Sequence, residues 1–376
     1  MNGMKERILL QLTLHLTNQC NLKCDYCFVT HGHEQMSLEI ARAAVDLGMK
    51  NTDTSALLFY GGEPLLEKQL MYDIIDYTNE IKKKKNHAFH FKMTTNGTLL
   101  DEEFLKFAQK SRISIGFSCD GPAQDDCRKS QDKTGSAKIV FDKIPLLLKY
   151  HPYSIGMSVI DPSTVSKASE IVNFLFQKGF RYLHTGVNYS TDAPWTKEKI
   201  LVLEEEYRKI AKLYLDWTRA EKKFYLSAFD MKILSHLKGD AYNIDRGRMG
   251  YNQPSVAPNG KIYSGSKHIG NPVFEIGDAF SGIDEKKHKA IFEKGAEPAE
   301  LCKKCAIKSR CNYAYDNLGD SGDKNDVSPV QCLHERILTP IVDEVAGILF
   351  KEKNSMFLHK HYNDLYPVLS LIEDIY

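Results

Sequence analysis

Three cysteines, Cys20, Cys24 and Cys27, stand in a C-x3-C-x2-C spacing directly after the apolar run from Ile8 to Leu14. Thiolates this close together on one loop can converge on a single inorganic centre. A structural zinc site closes on four ligands and a disulfide uses two, so a tight group of three suits neither well. It suits a [4Fe–4S] cluster, ordinarily held by four thiolates, with one iron left free for another ligand. A zinc knuckle, or a loop whose cysteines share no task, is the plain alternative on spacing alone.

A second group, Cys302-x2-Cys305-x5-Cys311 with Cys332 twenty-one positions on, supplies four thiolates. Four would saturate a second [4Fe–4S] cluster or close a zinc site. The remaining two of the nine cysteines stand apart. Cys119 follows a predicted core strand and reads as a small buried residue; Cys127 has polar neighbours that suggest exposure. Either is a candidate hydrogen-atom donor, against the commoner role of a free cysteine in packing. His31-Gly32-His33-Glu34 has metal-binding residue types but reads as a solvated loop beside the first cysteines.

The 376 residues carry 50 Lys and Arg against 49 Asp and Glu, a formal charge of +1, with 42% hydrophobic and 26% charged residues. Such balance leaves no electrostatic footprint for nucleic acid. No apolar run approaches the ~20 residues that span a bilayer, and the N-terminus lacks the pattern of a secretory signal. The expectation is a cytoplasmic chain without a nucleic-acid or membrane partner. Clustered cysteines there are metal ligands before they are disulfides, because the cytosol keeps thiols reduced.

The cysteine loop leaves the end of a buried strand over 7–16. A helix follows from the capping Ser37 to Met49, then a strand over 55–60 ending at Gly61-Gly62-Glu63-Pro64, and a helix over about 66–82. A third strand, 88–94, ends at Thr95-Asn96-Gly97-Thr98, and a helix begins at Asp101. A fourth, 113–118, ends at Cys119-Asp120-Gly121. Helices near 136–149 and 163–178 alternate with strands at 155–160 and 182–187. Alternation of this kind predicts parallel strands with crossover helices, as an open doubly wound sheet or a barrel. The unusual sequences all fall at C-terminal strand ends, where barrels build their sites, and this favours a complete or partial barrel. Beyond 190 the pattern turns helical to about 240, with an amphipathic stretch from Glu204 to Trp217. Ser255 to Tyr263 reads as a hairpin about Asn259-Gly260. A polar loop at 316–328 and a closing pair of helices follow.

C-x3-C-x2-C followed by an aromatic residue, at the end of the first strand of a βα repeat and with Gly-Gly-Glu-Pro after the second, resembles the radical SAM superfamily over roughly residues 7–190. The resemblance implies a partial (β/α)6 TIM-like barrel. Cys20, Cys24 and Cys27 would hold a [4Fe–4S] cluster whose free iron is chelated by S-adenosylmethionine (SAM). One-electron reduction would then yield a 5′-deoxyadenosyl radical. It further implies cofactor contacts from Gly61, Gly62 and Glu63 at the methionyl ammonium, from Ser118 and Asp120 near the ribose, from Thr95 and Asn96, from Arg128 at the cofactor carboxylate, and from Phe28 near the adenine. An electron donor such as flavodoxin or ferredoxin is implied as a partner.

The second cysteine group resembles the SPASM/twitch extension of peptide-modifying members, an α+β Fe–S domain. Its four thiolates match one auxiliary [4Fe–4S] site. The cysteines of a further auxiliary cluster are replaced by Met249, Gly265 and Tyr315, so two clusters in all are expected. Gly265-Ser266 also stands where sulfatase-maturing members carry Cys-Asp, which argues against that activity. The expected organisation is a barrel over 1–190, a helical connector over 191–245, an auxiliary-cluster domain over 246–340 and closing helices over 341–376. The expected function is a peptide maturase that installs a thioether or carbon–carbon crosslink in a ribosomally made precursor. A dehydrogenase or epimerase of a small molecule or peptide, and a non-catalytic Fe–S scaffold, are the alternatives. With no room ahead of the first strand for a leader-binding domain, recognition is expected at the barrel rim, the connector or a separate protein.

Overall fold

The computed structural model describes residues 10–50, 52–238, 253–311 and 321–363. Met249, Tyr315 and the start of the polar loop lie outside the described residues. Strand β1 (Leu10–Thr17) is followed by a short β2 (Leu22–Cys24), then β3 (Thr54–Gly61), β4 (Ala88–Thr95), β5 (Ile113–Ser118), a short β6 (Arg128–Ser130), β7 (Ile155–Ile160) and β8 (Tyr182–Val187). Apart from β2 and β6, these are parallel neighbours in the spatial order β1-β3-β4-β5-β7-β8. Chain order and spatial order coincide. Each crossover therefore steps the same way, whereas a doubly wound sheet reverses direction at a switch point. The result is a partial barrel that stays open at its edges.

Local sequence explains the crossovers. Ser37 accepts a hydrogen bond from the Ile40 amide at the start of helix Leu38–Gly48. Asp101 does the same for Phe104 ahead of Glu102–Lys110. Side chains of β1 are buried from Leu12 to Thr17. With a period of two, Leu12, Leu14 and Leu16 share one face, and Thr13, His15 and Thr17 the other.

Three features extend the predicted pattern. Strand β9 (Tyr225–Leu226) adds in parallel to β8. Strand β10 (Ser255–Val256) adds in parallel to β1, with Thr13 opposite Ser255. The predicted hairpin forms between β10 and β11 (Lys261–Tyr263), with Gly260 at φ +87° in its turn. With β12 (Glu275–Asp278) and β13 (Gly282–Ile283) it carries the sheet to eleven strands. The C-terminal extension is thus hydrogen-bonded to the first barrel strand. Helices Pro329–Lys351 and Ser355–Tyr362 close the described chain, the first packed on helix Lys197–Arg219. Among the described residues no helix is long and apolar enough to cross a membrane.

Candidate active site

The cysteine loop is tied to three neighbouring strand ends. Strand β2 pairs with β6, placing Cys24 opposite Arg128, and the Asp25 amide donates to the Cys127 carbonyl at 3.0 Å. Gln131 Nε2 donates to the Cys20 carbonyl at 2.9 Å. On the other flank Gly62 N donates to the Thr17 carbonyl at 2.8 Å and Glu63 N to the Gln19 carbonyl at 2.9 Å. A Cβ on Gly62 would stand 2.0 Å from Gln19 O, and one on Gly61, at φ +124°, 2.3 Å from Thr17 O. The glycines therefore allow a close approach between two loops. Gly62→Ala is expected to displace the cysteine loop and cost about 1–3 kcal/mol. Iron retained after reconstitution reports the loop, and a denaturation midpoint the stability.

The Glu63 side chain is buried and accepts from Leu65 N at 3.0 Å, Thr95 Oγ1 at 2.7 Å and Asn96 N at 2.8 Å. It straps the β3 end to the β4 end. Burial raises its pKa to about 7 against those three donors. Asn96 Nδ2 donates to Asn21 Oδ1 at 2.9 Å and lies 3.8 Å from Cys20 Sγ, and Asn21 Nδ2 donates to Thr98 Oγ1 at 2.7 Å. The loops after β1, β3 and β4 form one interlocked rim.

Below the β5 end lies a buried ionic cluster. Asp120, fully buried, accepts from Arg128 Nε at 2.7 Å, from Val159 N at 2.9 Å and from the Tyr26 hydroxyl. The Arg128 guanidinium lies over the Tyr26 ring, 5.2 Å from its centroid. Tyr26 sits inside the cysteine motif, so this cluster braces the loop from beneath. The sequence marked Asp120 and Arg128 singly, with no sign that they pair. Cys127 is buried, its thiol 3.3 Å from Asp120 Oδ2 and from the Ala123 carbonyl; exposure suggested by its polar neighbours is corrected here. Its neighbours Asp125 and Asp126 face solvent while the thiol faces inward. Cys119 is buried as expected. Ser118 is partly exposed at the rim, and Phe28, 54% exposed, stacks on Tyr60 at 6.1 Å. The His31 to Glu34 loop is largely exposed, with His31 Nε2 3.6 Å from Cys27 Sγ.

All three loop thiols are free. Burial pushes Cys20 up to about 12 and Cys24 to about 11, the latter against the opposing charge of Arg128. Thiols in such surroundings stay protonated until a bound cation supplies the compensating charge. Three soft sulfur donors on one loop fit iron–sulfur ligation. Among the described residues no three His, Cys, Asp or Glu side chains close tightly enough for a single ion. The second group lines one small cavity: Cys302, Cys305, Cys311 and Cys332 with Glu335 and Arg336. Its shell went unseen in the sequence. Buried Lys232 pairs with Glu335 and donates to the Arg310 carbonyl at 2.6 Å, and Arg310 forks onto Asp343 with both contacts at 2.6 Å.

Residues 14–175 match the radical SAM superfamily model. The chain carries a radical SAM domain, which implies a SAM-binding [4Fe–4S] cluster. A cysteine-type anaerobic sulfatase-maturating enzyme of Clostridium novyi is 28% identical over 180 residues, 44% of this chain and 48% of the relative; the match spans about half of that relative. In fold the chain resembles anSMEcpe, solved with bound AdoMet (TM-score 0.72, 18% identity, 90% of this chain and 100% of that one). The same protein was solved with AdoMet and the Cp18Cys peptide. It also resembles Streptococcus suis SuiB bound to the precursor peptide SuiA (TM-score 0.60, 16% identity, 87% and 76% coverage).

Proposed function

We propose that the chain is a radical SAM enzyme that modifies a ribosomally made peptide by forming a thioether or carbon–carbon crosslink. The observation that carries this reading is the interlocked rim. Three free thiols stand on a loop hydrogen-bonded to the Gly-Gly-Glu and Thr-Thr-Asn-Gly-Thr strand ends. The peptide part is supported by fold neighbours solved with bound peptides. Sulfatase maturation is disfavoured, because Gly265-Ser266 occupies the hairpin end.

When bound, the cluster and SAM supply a strongly oxidising carbon radical by one-electron cleavage of the sulfonium. The residues of the chain hold and shield that chemistry. Cys20, Cys24 and Cys27 ligate iron. Backbone at Gly61 and Gly62 and the side chains of Ser118, Thr95, Asn96 and Phe28 would hold SAM. Glu63, Asp120 and Arg128 keep the rim rigid, with Arg128 also near the cofactor carboxylate. Cys302, Cys305, Cys311 and Cys332 hold an auxiliary [4Fe–4S] cluster, and a flavodoxin or ferredoxin delivers the electron.

Two cubanes correspond to about eight iron and eight sulfide per chain. Cys332→Ala is expected to lower both to about four while the SAM-dependent signal persists; zinc at the second site would contradict the assignment. For the substrate, the enzyme with reductant and SAM is incubated with short peptides encoded beside its gene. A loss of two hydrogens from one of them, read by mass spectrometry, is the expected result. No mass change in any such peptide, with SAM still consumed, would exclude the peptide reading.

A further inference from the structure

A cleft of about 350 Å³ opens between the cysteine loop and the β10–β11 hairpin, with walls that include Asn18, Phe28, Asn259, Tyr263 and Ile269. Of the expected SAM contacts only Phe28 reaches it; Gly61 to Glu63, Thr95, Asn96 and Ser118 do not line it. It is therefore a neighbour of the cofactor site, joined to it at one aromatic ring.

His15 of β1 forms part of the lining, on the barrel-interior face that β1 shares with Thr13 and Thr17. It is 1% exposed, and neither ring nitrogen has a hydrogen-bond partner among the described residues. A buried polar group without a partner lowers stability, and native structures rarely keep one without a use. The ring rests against Tyr60 with centroids 5.2 Å apart, which fixes its plane and leaves its nitrogens free. Burial holds its pKa down to about 3, so the imidazole is neutral near pH 7 and offers one N–H and one lone pair. Among the described residues the one formally charged group in the lining is Glu34, which is exposed. Among the described residues no cation lines the cleft to balance a carboxylate or a phosphate.

We propose that this cleft receives an uncharged stretch of peptide backbone and that His15 holds it through a hydrogen bond to a backbone amide group. A neutral imidazole complements an amide by donating to its carbonyl or accepting from its N–H, and the apolar and aromatic walls suit an uncharged side chain. The cleft would then set which peptide residue lies beside the reacting carbon of SAM. This inference rests on the peptide reading above.

The test uses the full-length, anaerobically reconstituted protein with SAM. Its probes are N-acetyl amino-acid N-methylamides of Ala, Leu and Phe, the corresponding free amino acids, and mannitol as a neutral polyol. Binding is followed by saturation-transfer NMR and by the imidazole 15N signals of His-labelled protein. A capped amide is expected to bind and to move the His15 signal, with the zwitterionic amino acids binding more weakly. His15→Phe should weaken the capped amide about tenfold or more, equivalent to about 1.4 kcal/mol. His15→Asn, which keeps a donor and an acceptor, should recover most of that loss. SAM affinity, measured on the same samples, should be the same in both variants and reports that the site is folded. Capped amides that bind His15→Phe as tightly as the native protein, or bind neither, overturn the role of His15. If a precursor peptide is still modified in that case, the peptide reading stands alone. Binding of mannitol without any capped amide overturns the cleft as a peptide site, and the peptide reading falls with it only if no precursor peptide is modified.

Discussion

Replacing Cys24 by alanine is expected to reduce SAM cleavage by about a thousandfold or more, equivalent to about 4 kcal/mol, and to remove about half of the bound iron. Cys24 lies in β2 directly opposite Arg128, so backbone pairing sets its position. Only three thiols are available to the loop, and two thiolates do not retain a cubane against exchange with solvent. The pairing between β2 and β6 uses main-chain groups alone, and far-UV circular dichroism of the variant should match that of the native chain. Release of 5′-deoxyadenosine, measured by liquid chromatography and mass spectrometry alongside iron content, checks both parts. A variant that keeps native turnover would show that the cysteine loop does not hold the reactive cluster.

The second large effect belongs to the ion pair beneath that loop. The Asp120 side chain is 0% exposed and that of Arg128 8%. Burying two charges costs as much as their attraction returns, but removing one partner leaves the other charge stranded. Asp120→Asn keeps an oxygen for Val159 N yet leaves Arg128 without its counter-charge. The expected loss of stability is about 3–5 kcal/mol. The double variant Asp120→Asn with Arg128→Met, which removes the stranded charge, should recover a substantial part. Anaerobic guanidinium unfolding of the apoprotein measures both. A loss below about 1 kcal/mol in the single variant, the level of an exposed pair, would contradict a brace at this position.

Much of this site could be read in the sequence because each rim motif directly follows a strand with a clear apolar pattern. The cysteine triplet, Gly61 to Glu63 and Thr95 to Thr98 sit on the rim, and Asn259-Gly260 turns the hairpin. What escaped was contact between distant segments. Nothing local to Ser255-Val256 shows that it pairs with Thr13-Leu14, more than two hundred residues earlier. Nothing near Lys232 foretells Glu335. Tyr225-Leu226 is too short to carry a strand period. The glycines were legible as close-approach residues, but the partner of the approach, the Thr17 to Gln19 backbone, depends on the third dimension. His15 offered one signal, a titratable ring within an apolar strand, whose meaning rests on the cleft that the hairpin completes.

The most direct test of the account is SAM cleavage by the native chain itself. Anaerobically reconstituted protein with SAM and a low-potential reductant is expected to release methionine and 5′-deoxyadenosine in equal amounts, dependent on the reductant. A chain that carries its full complement of iron and sulfide and binds SAM, yet forms no 5′-deoxyadenosine under these conditions, would contradict it.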